Sequence, residues 1–226
     1  MKKLVISIFS ATLLLSACSN SNDGEEEVKE VKQDKSMTSE SLIDEVVANN
    51  QDVISYEERG TLTMNDEDEL NFIVTIDNDE NVKFEVDASD SVFTLYDVNG
   101  EKKVLTNGEF ETSDIELNPL TYSELVEKLK ELPKGDLKTD KDVYVITYDL
   151  LTIEDLSIFS NELASNLQDY DVENLSLTLQ VNADYKVVRA DVEGILSDDK
   201  ENYDIKGFAT FENIGEVEQI EVPKGE

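Results

Sequence analysis

Cys18, in the stretch LLLSACSNSN (residues 13–22), is the only thiol of the chain, and its position alone points to a chemistry. A lone cysteine cannot close an internal disulfide, but its thiolate can act as a nucleophile toward an alkyl or acyl donor. The other reactive side chains are scarce. With no histidine and only two arginines, Arg59 and Arg189, the chain cannot build a histidine-dependent triad, a His/Cys zinc site or an arginine phosphate clamp. Carboxylates remain, 53 of them against 19 lysines and arginines, so two lying close together specify no acid–base pair. Asp77, Asp79 and Asn81 in DNDEN have the one–three–five spacing of a calcium loop. The sixth position, however, is Val82 where the turn needs glycine, and the twelfth is Ala88 where a bidentate glutamate belongs. The stretch separates two alternating runs and reads as a polar hairpin turn. Asp66–Glu69 and Asp198–Glu201 are acid-dense without any ligand spacing. No catalytic set, metal site or cofactor follows from these residues.

The surroundings of Cys18 give the thiol its job. Lys2 and Lys3 precede an apolar run from Leu4 to Leu15, too short to span a bilayer as a helix but of the right length for a secretion signal. Leu15-Ser16-Ala17-Cys18 then resembles the lipobox of bacterial lipoprotein precursors. The resemblance implies a diacylglyceryl thioether on Cys18, cleavage after Ala17 and a mature chain that starts at Cys18. Two acyl chains hold a protein on a membrane stably where one does so only marginally. Residues 1–17 are thus expected to be a signal peptide, and 18–37 a lipidated end followed by an acidic tether. Ser19–Met37 has almost no apolar content. At about 3.3 Å per residue it could hold a folded body up to roughly 60 Å from the anchor. The formal net charge of −34 works against nucleic acid and anionic head groups as partners, since like charges repel within a Debye length of about 8 Å.

From Thr38 to Glu226 the chain reads as one domain whose main signal has period two. Leu70, Phe72, Val74 and Ile76 alternate with Asn71, Ile73 and Thr75. Val82, Phe84, Val86 and Ala88 do so with Lys83, Glu85 and Asp87, and Leu175, Leu177, Leu179 and Val181 with Ser176, Thr178 and Gln180. Each run has an oily and a wet face, as antiparallel sheets exposed on one side require. Asn99-Gly100 and Asn107-Gly108 are two-residue hairpin signals that divide Val92–Thr112 into three strands. Further strands are predicted at Ile54–Met64, Val143–Leu150, Val187–Leu196, Tyr203–Phe211 and Val217–Val222. That makes about ten, arranged mostly as a meander.

Apolar spacing of three and four predicts helices at Ser41–Asn50, Tyr122–Leu132 and Ile153–Gln168; Thr121 and Glu124 form a capping box ahead of the second. About ten strands make a flat sheet near 48 Å wide, and three helices cover only some 30 Å of it. The expected fold is therefore α+β: a large curved antiparallel sheet, a half-open barrel, with about three helices on its concave face.

This order of elements, together with the lipobox and tether, resembles the LolA/LppX-like lipoproteins. The closing FENIGEVEQIEVPKGE, with Ile220, Val222 and Pro223, is similar to the ends of uncharacterised Gram-positive lipoproteins of that group. The resemblance implies a half-open barrel and, as in several members, the holding or carrying of a lipid. It also implies residence on the outer face of a bacterial cytoplasmic membrane of the Gram-positive kind. On this reading Phe72, Val74, Phe84, Val86, Leu177 and Leu179 line a groove for an apolar ligand, with Phe159 and Leu163 over it, and the chain is not an enzyme. The other reading is a protein-interaction or sensor module at the cell surface that uses the barrel only as a scaffold.

Overall fold

The chain starts its sheet in the middle and finishes it there. In the computed structural model, which describes residues 31, 36–65, 68–88, 91–158, 170–198 and 201–223, eleven strands form one sheet. They are β1 (Tyr56–Met64), β2 (Asp68–Ile76), β3 (Val82–Ala88), β4 (Ser91–Val98), β5 (Glu101–Thr106), β6 (Glu109–Thr112), β7 (Asp136–Asp140), β8 (Val143–Leu150), β9 (Asp171–Asn182), β10 (Val187–Ser197) and β11 (Asn202–Glu212). Their spatial order is β6-β5-β4-β3-β2-β1-β11-β10-β9-β8-β7, and every pairing is antiparallel. One meander therefore runs out from β1 to the edge strand β6. The chain then crosses to the opposite edge and meanders back from β7 until β11 pairs with β1. β6 and β7 do not pair, so the sheet is open.

Turn chemistry fixes the hairpins. Both residues of Asn99-Gly100 and of Asn107-Gly108 have positive φ, which is what two-residue turns between right-twisted strands demand. The DNDEN stretch is likewise a hairpin turn: Asp77 Oδ1 accepts from the backbone N–H groups of Asp79 and Asn81. Two α-helices lie among the described residues, α1 (Ser39–Asn49) and α2 (Tyr122–Lys128). Thr121 and Glu124 do form the capping box of α2, and Thr38 with Ser41 forms a second one on α1.

Three expectations need correction. The second helix stops at Lys128 and tightens into a 3-10 turn at Leu129–Glu131. The third expected helix begins as a 3-10 turn, Ile153–Ile158, and its remainder lies outside the described residues. So the described residues hold two α-helices rather than about three. Val217–Val222 is not a strand, because its Ile220 amide donates to the Asp77 carboxylate rather than to a neighbouring strand. In its place, Asp136–Asp140 supplies the edge strand β7, although Leu137 is its only large apolar residue.

The two described α-helices cover half of the sheet. Leu42, Ile43, Val46 and Val47 of α1 and Tyr122, Leu125 and Val126 of α2 pack with one face of β8–β11, β1 and the end of β2. This inner face includes Ile146, Tyr148, Leu175, Leu177, Leu179, Ile205 and Phe211. Val31, within the stretch expected to be tether, is 8 % exposed and joins the same core. A second, smaller core lies on the outer face at the far end of the sheet. There Ile220 and Val222 of the C-terminal segment pack over Tyr96 and Val98 of β4, Leu105 of β5 and Phe110 of β6.

Candidate functional site: an apolar panel with one carboxyl

Strand register decides which alternating residues share the inner face. Val74 stands opposite Phe84 and Phe72 opposite Val86; Phe84 is next to Leu95, and Val86 to Phe93. Leu95 in turn faces Val104. Directly opposed residues in such ladders have Cβ atoms about 5 Å apart, so these side chains form one continuous apolar panel across β2–β5. Phe72, Val74, Phe84, Phe93 and Val104 are half-buried, while Val86 and Leu95 are buried. Among the described residues, Phe72, Phe84, Val86, Phe93 and Leu95 belong to neither packed core. The distal strands are thus apolar on both faces. The C-terminal segment covers the outer one, and no described helix packs over the inner one.

Of the expected lining residues, the structure brings Phe72, Val74, Phe84 and Val86 together. Leu177 and Leu179 share their face, but each is 0 % exposed inside the main core, paired with Tyr148 and Ile146, and presents no surface to a ligand. They are core residues rather than lining. Phe159 and Leu163 lie outside the described residues, as does Cys18.

Sequence reading missed the residue that sets the polarity of this panel. Glu58 sits on β1 between Val74 of β2 and Phe211 of β11, on the same inner face as Tyr56. On one side of it the rings of Tyr56, Tyr122 and Phe211 close the main core, with centroids 5.8–6.4 Å apart. On the other, the Phe72 ring lies over Gly60, where any Cβ would collide with it. Glu58 therefore marks the border between packed core and panel. It has no hydrogen-bond or ion-pair partner among the described residues. Register puts no lysine or arginine on the inner face of β1, β2, β3, β10 or β11. Burial raises its pKa from 4.5 to about 7.

The raised pKa has a consequence for stability. A carboxyl whose folded pKa lies above its unfolded value binds more protons in the native state, so stability falls as pH rises from 4.5 towards 7 and then stays reduced. The Glu58→Gln variant keeps the shape and removes the charge. It should match the parent in urea melts at pH 4 and exceed it by roughly 2 kcal/mol at pH 8, allowing for a half-buried group that keeps some contact with water. Equal stability of the two proteins at pH 8 would contradict the placement of this carboxyl.

Two other depressions lack this character. A cleft of about 210 Å³ between α1 and the turn after α2 is lined by Ser39, Ile43, Leu129, Leu132 and Tyr148, with Glu40, Asp44 and Lys130 at its polar rim. A shallow trough of about 540 Å³ lies on the outer face among Thr61, Thr63, Ser176, Thr178, Asp191 and Glu193. Beside it the Arg189 guanidinium lies 4.6 Å from the Phe208 ring centroid. No group of three or more acidic side chains among the described residues is arranged to hold a metal ion, and no described helix is long and apolar enough to cross a membrane.

No protein-family model matches the chain, and no curated protein does. Among solved structures it is similar to the crystal structure of LolA superfamily protein NE2245 from Nitrosomonas europaea, at 11 % identity and a TM-score of 0.30. The alignment covers 83 % of this chain and 96 % of that one.

Proposed function

We propose that this chain is a membrane-anchored extracytoplasmic lipoprotein that binds or carries a lipid or other apolar ligand, held to the outer face of the membrane through Cys18. The observation that carries the ligand half is the inner panel of Phe72, Phe84 and Val86, which joins neither packed core and which no described helix covers, with Val74 at its border with the main core. Apolar area of this kind gains about 25 cal/mol for each Å² removed from water, so a long hydrocarbon chain laid across four strands is a favourable cover. The anchor half rests on the lipobox. Both halves are tested with the Cys18→Ser variant, which removes the chain's own lipid. Metabolic labelling with an alkynyl fatty acid should mark the parent protein and leave the variant unmarked. Organic extraction of the purified variant followed by mass spectrometry should then release a lipid in near-stoichiometric amount. A variant that yields no lipid, and takes up none when incubated with vesicles, would point to a panel filled by the protein itself and leave a tethered scaffold.

A further inference from the structure

We propose that the inner panel selects an amphiphile with a primary ammonium head, and that Glu58 is the residue that reads the head. The inference rests on the reading of the panel as a ligand surface and adds the class of ligand.

Three observations converge on it. The carboxyl stands at the end of an apolar strip, where the head of an extended hydrocarbon chain would lie once the chain covers Phe72, Phe84 and Val86. It has no partner among the described residues, and no basic side chain shares its face on the five strands around it. A carboxylate is acceptor-only, so in apolar surroundings it wants donors, and an ammonium supplies three of them with the opposite charge.

Energetic accounting favours the charged head over a hydroxyl or an acid. Forming a buried ion pair normally requires both ions to leave water, and that desolvation can exceed the attraction between them. Here one partner has already lost part of its hydration in the free protein. Most of the hydration left to lose is the arriving ammonium's own, and the ammonium supplies the counter-charge the carboxyl lacks. An anionic head would be repelled by the same group and by the chain's net charge of −34.

The test uses the full chain carrying Cys18→Ser, titrated calorimetrically below micelle formation with dodecylammonium, dodecanol, dodecyl sulfate and butylammonium. Physiological ionic strength screens exposed acids beyond about 8 Å. One dodecylammonium should bind per chain, about tenfold or more tighter than dodecanol, with dodecyl sulfate weaker still. Butylammonium, which keeps the head without the chain, should bind at least about a hundredfold more weakly. Glu58→Gln should abolish the preference and retain the dodecanol affinity. Glu57→Gln, on the outer face beside Arg59, should change neither. If Glu58→Gln keeps the preference, or the parent shows none, the assignment of the head is overturned while the apolar site survives. If butylammonium binds as well as dodecylammonium, the ligand is not an amphiphile. If no probe binds, the panel is not a ligand surface and both proposals fall.

Discussion

Tyr122→Ala is expected to cost about 3–5 kcal/mol of stability, the range for removing a large fully buried aromatic side chain. Tyr122 is 0 % exposed and begins α2, the helix carried by the link from β6 to β7. Its hydroxyl accepts from the Val187 amide at 2.7 Å and donates to the Val187 carbonyl at 3.1 Å, which ties the crossing link to the start of β10. Its ring packs on Tyr56 of β1 and Phe211 of β11, the two strands where the meanders meet. The backbone adds to the joint, since the amides of Tyr122 and Ser123 donate to the carbonyls of Ile54 and Val53. One side chain thus links the first meander, the crossover and the second meander. Tyr122→Phe keeps the ring and removes only the hydroxyl. It should lose about 1–2 kcal/mol, because the Val187 amide and carbonyl are left buried without that partner. Urea unfolding of both variants separates packing from hydrogen bonding. A phenylalanine variant as unstable as the alanine one would show that the hydroxyl, not the ring, holds the joint.

The strands and their faces were legible in the sequence because a one-sided sheet writes itself in period two and asparagine–glycine turns fix where it folds back. The register then confirmed that Phe72, Val74, Phe84 and Val86 share a face. What alternation cannot say is which strands the helices cover. Leu177 and Leu179 read the same as Phe72 and Phe84, yet they are core because α1 and α2 pack over β8–β11 rather than over β3–β5. That choice depends on contacts between residues far apart in the chain, which leave no local trace. β7 was missed for a related reason. Its short DLKTD stretch has a single large apolar residue, and its partner β8 supplies what its own sequence lacks.

Glu58 is different, since its signal was present and unread. In β1 the inner positions run Tyr56, Glu58, Gly60, Leu62 and Met64, an alternation with an acid set into it. A charge on the oily face of a strand is costly unless it is paired, and where a fold keeps one it marks a place to look for a ligand. The same comparison explains why Glu57, one residue earlier, carries no such message. It faces outward, and its carboxylate pairs with Arg59.

Asp77→Ala should detach the C-terminal segment from the sheet and cost about 2–4 kcal/mol, through the loss of several hydrogen bonds to one buried carboxylate. Asp77 is 1 % exposed. Its Oδ1 accepts from the amides of Asp79 and Asn81, and its Oδ2 from the Asn81 side chain at 2.9 Å and the Ile220 amide at 2.8 Å. Asn81 passes the connection on by accepting from the Asn99 amide in the turn between β4 and β5. The calcium-like spacing of DNDEN therefore serves a polar knot that joins two hairpin turns to the last segment of the chain. Burial opposes ionisation of Asp77, but the bonds from Ile220, Asn81 and Asp79 outweigh it, and its pKa falls below the ordinary 3.8. A carboxyl with a lowered folded pKa contributes stability that is complete above its unfolded value and is lost as pH falls through the folded one. Acid below pH 3.8 should accordingly loosen residues 214–222 in the parent and have little further effect on that segment in Asp77→Ala. Hydrogen exchange at the Ile220 amide reads this directly: slow in the parent at neutral pH, fast in the variant at every pH. Release also uncovers Tyr96, which is 5 % exposed beneath Ile220, so tyrosine emission should change in step with exchange. Because this segment covers the outer face of β4–β6 while the panel lies on the inner face, Asp77→Ala should weaken binding of a hydrocarbon chain less than it weakens the fold. An Ile220 amide that stays protected in Asp77→Ala would show that the apolar contacts of Ile220 and Val222 hold the segment without the knot.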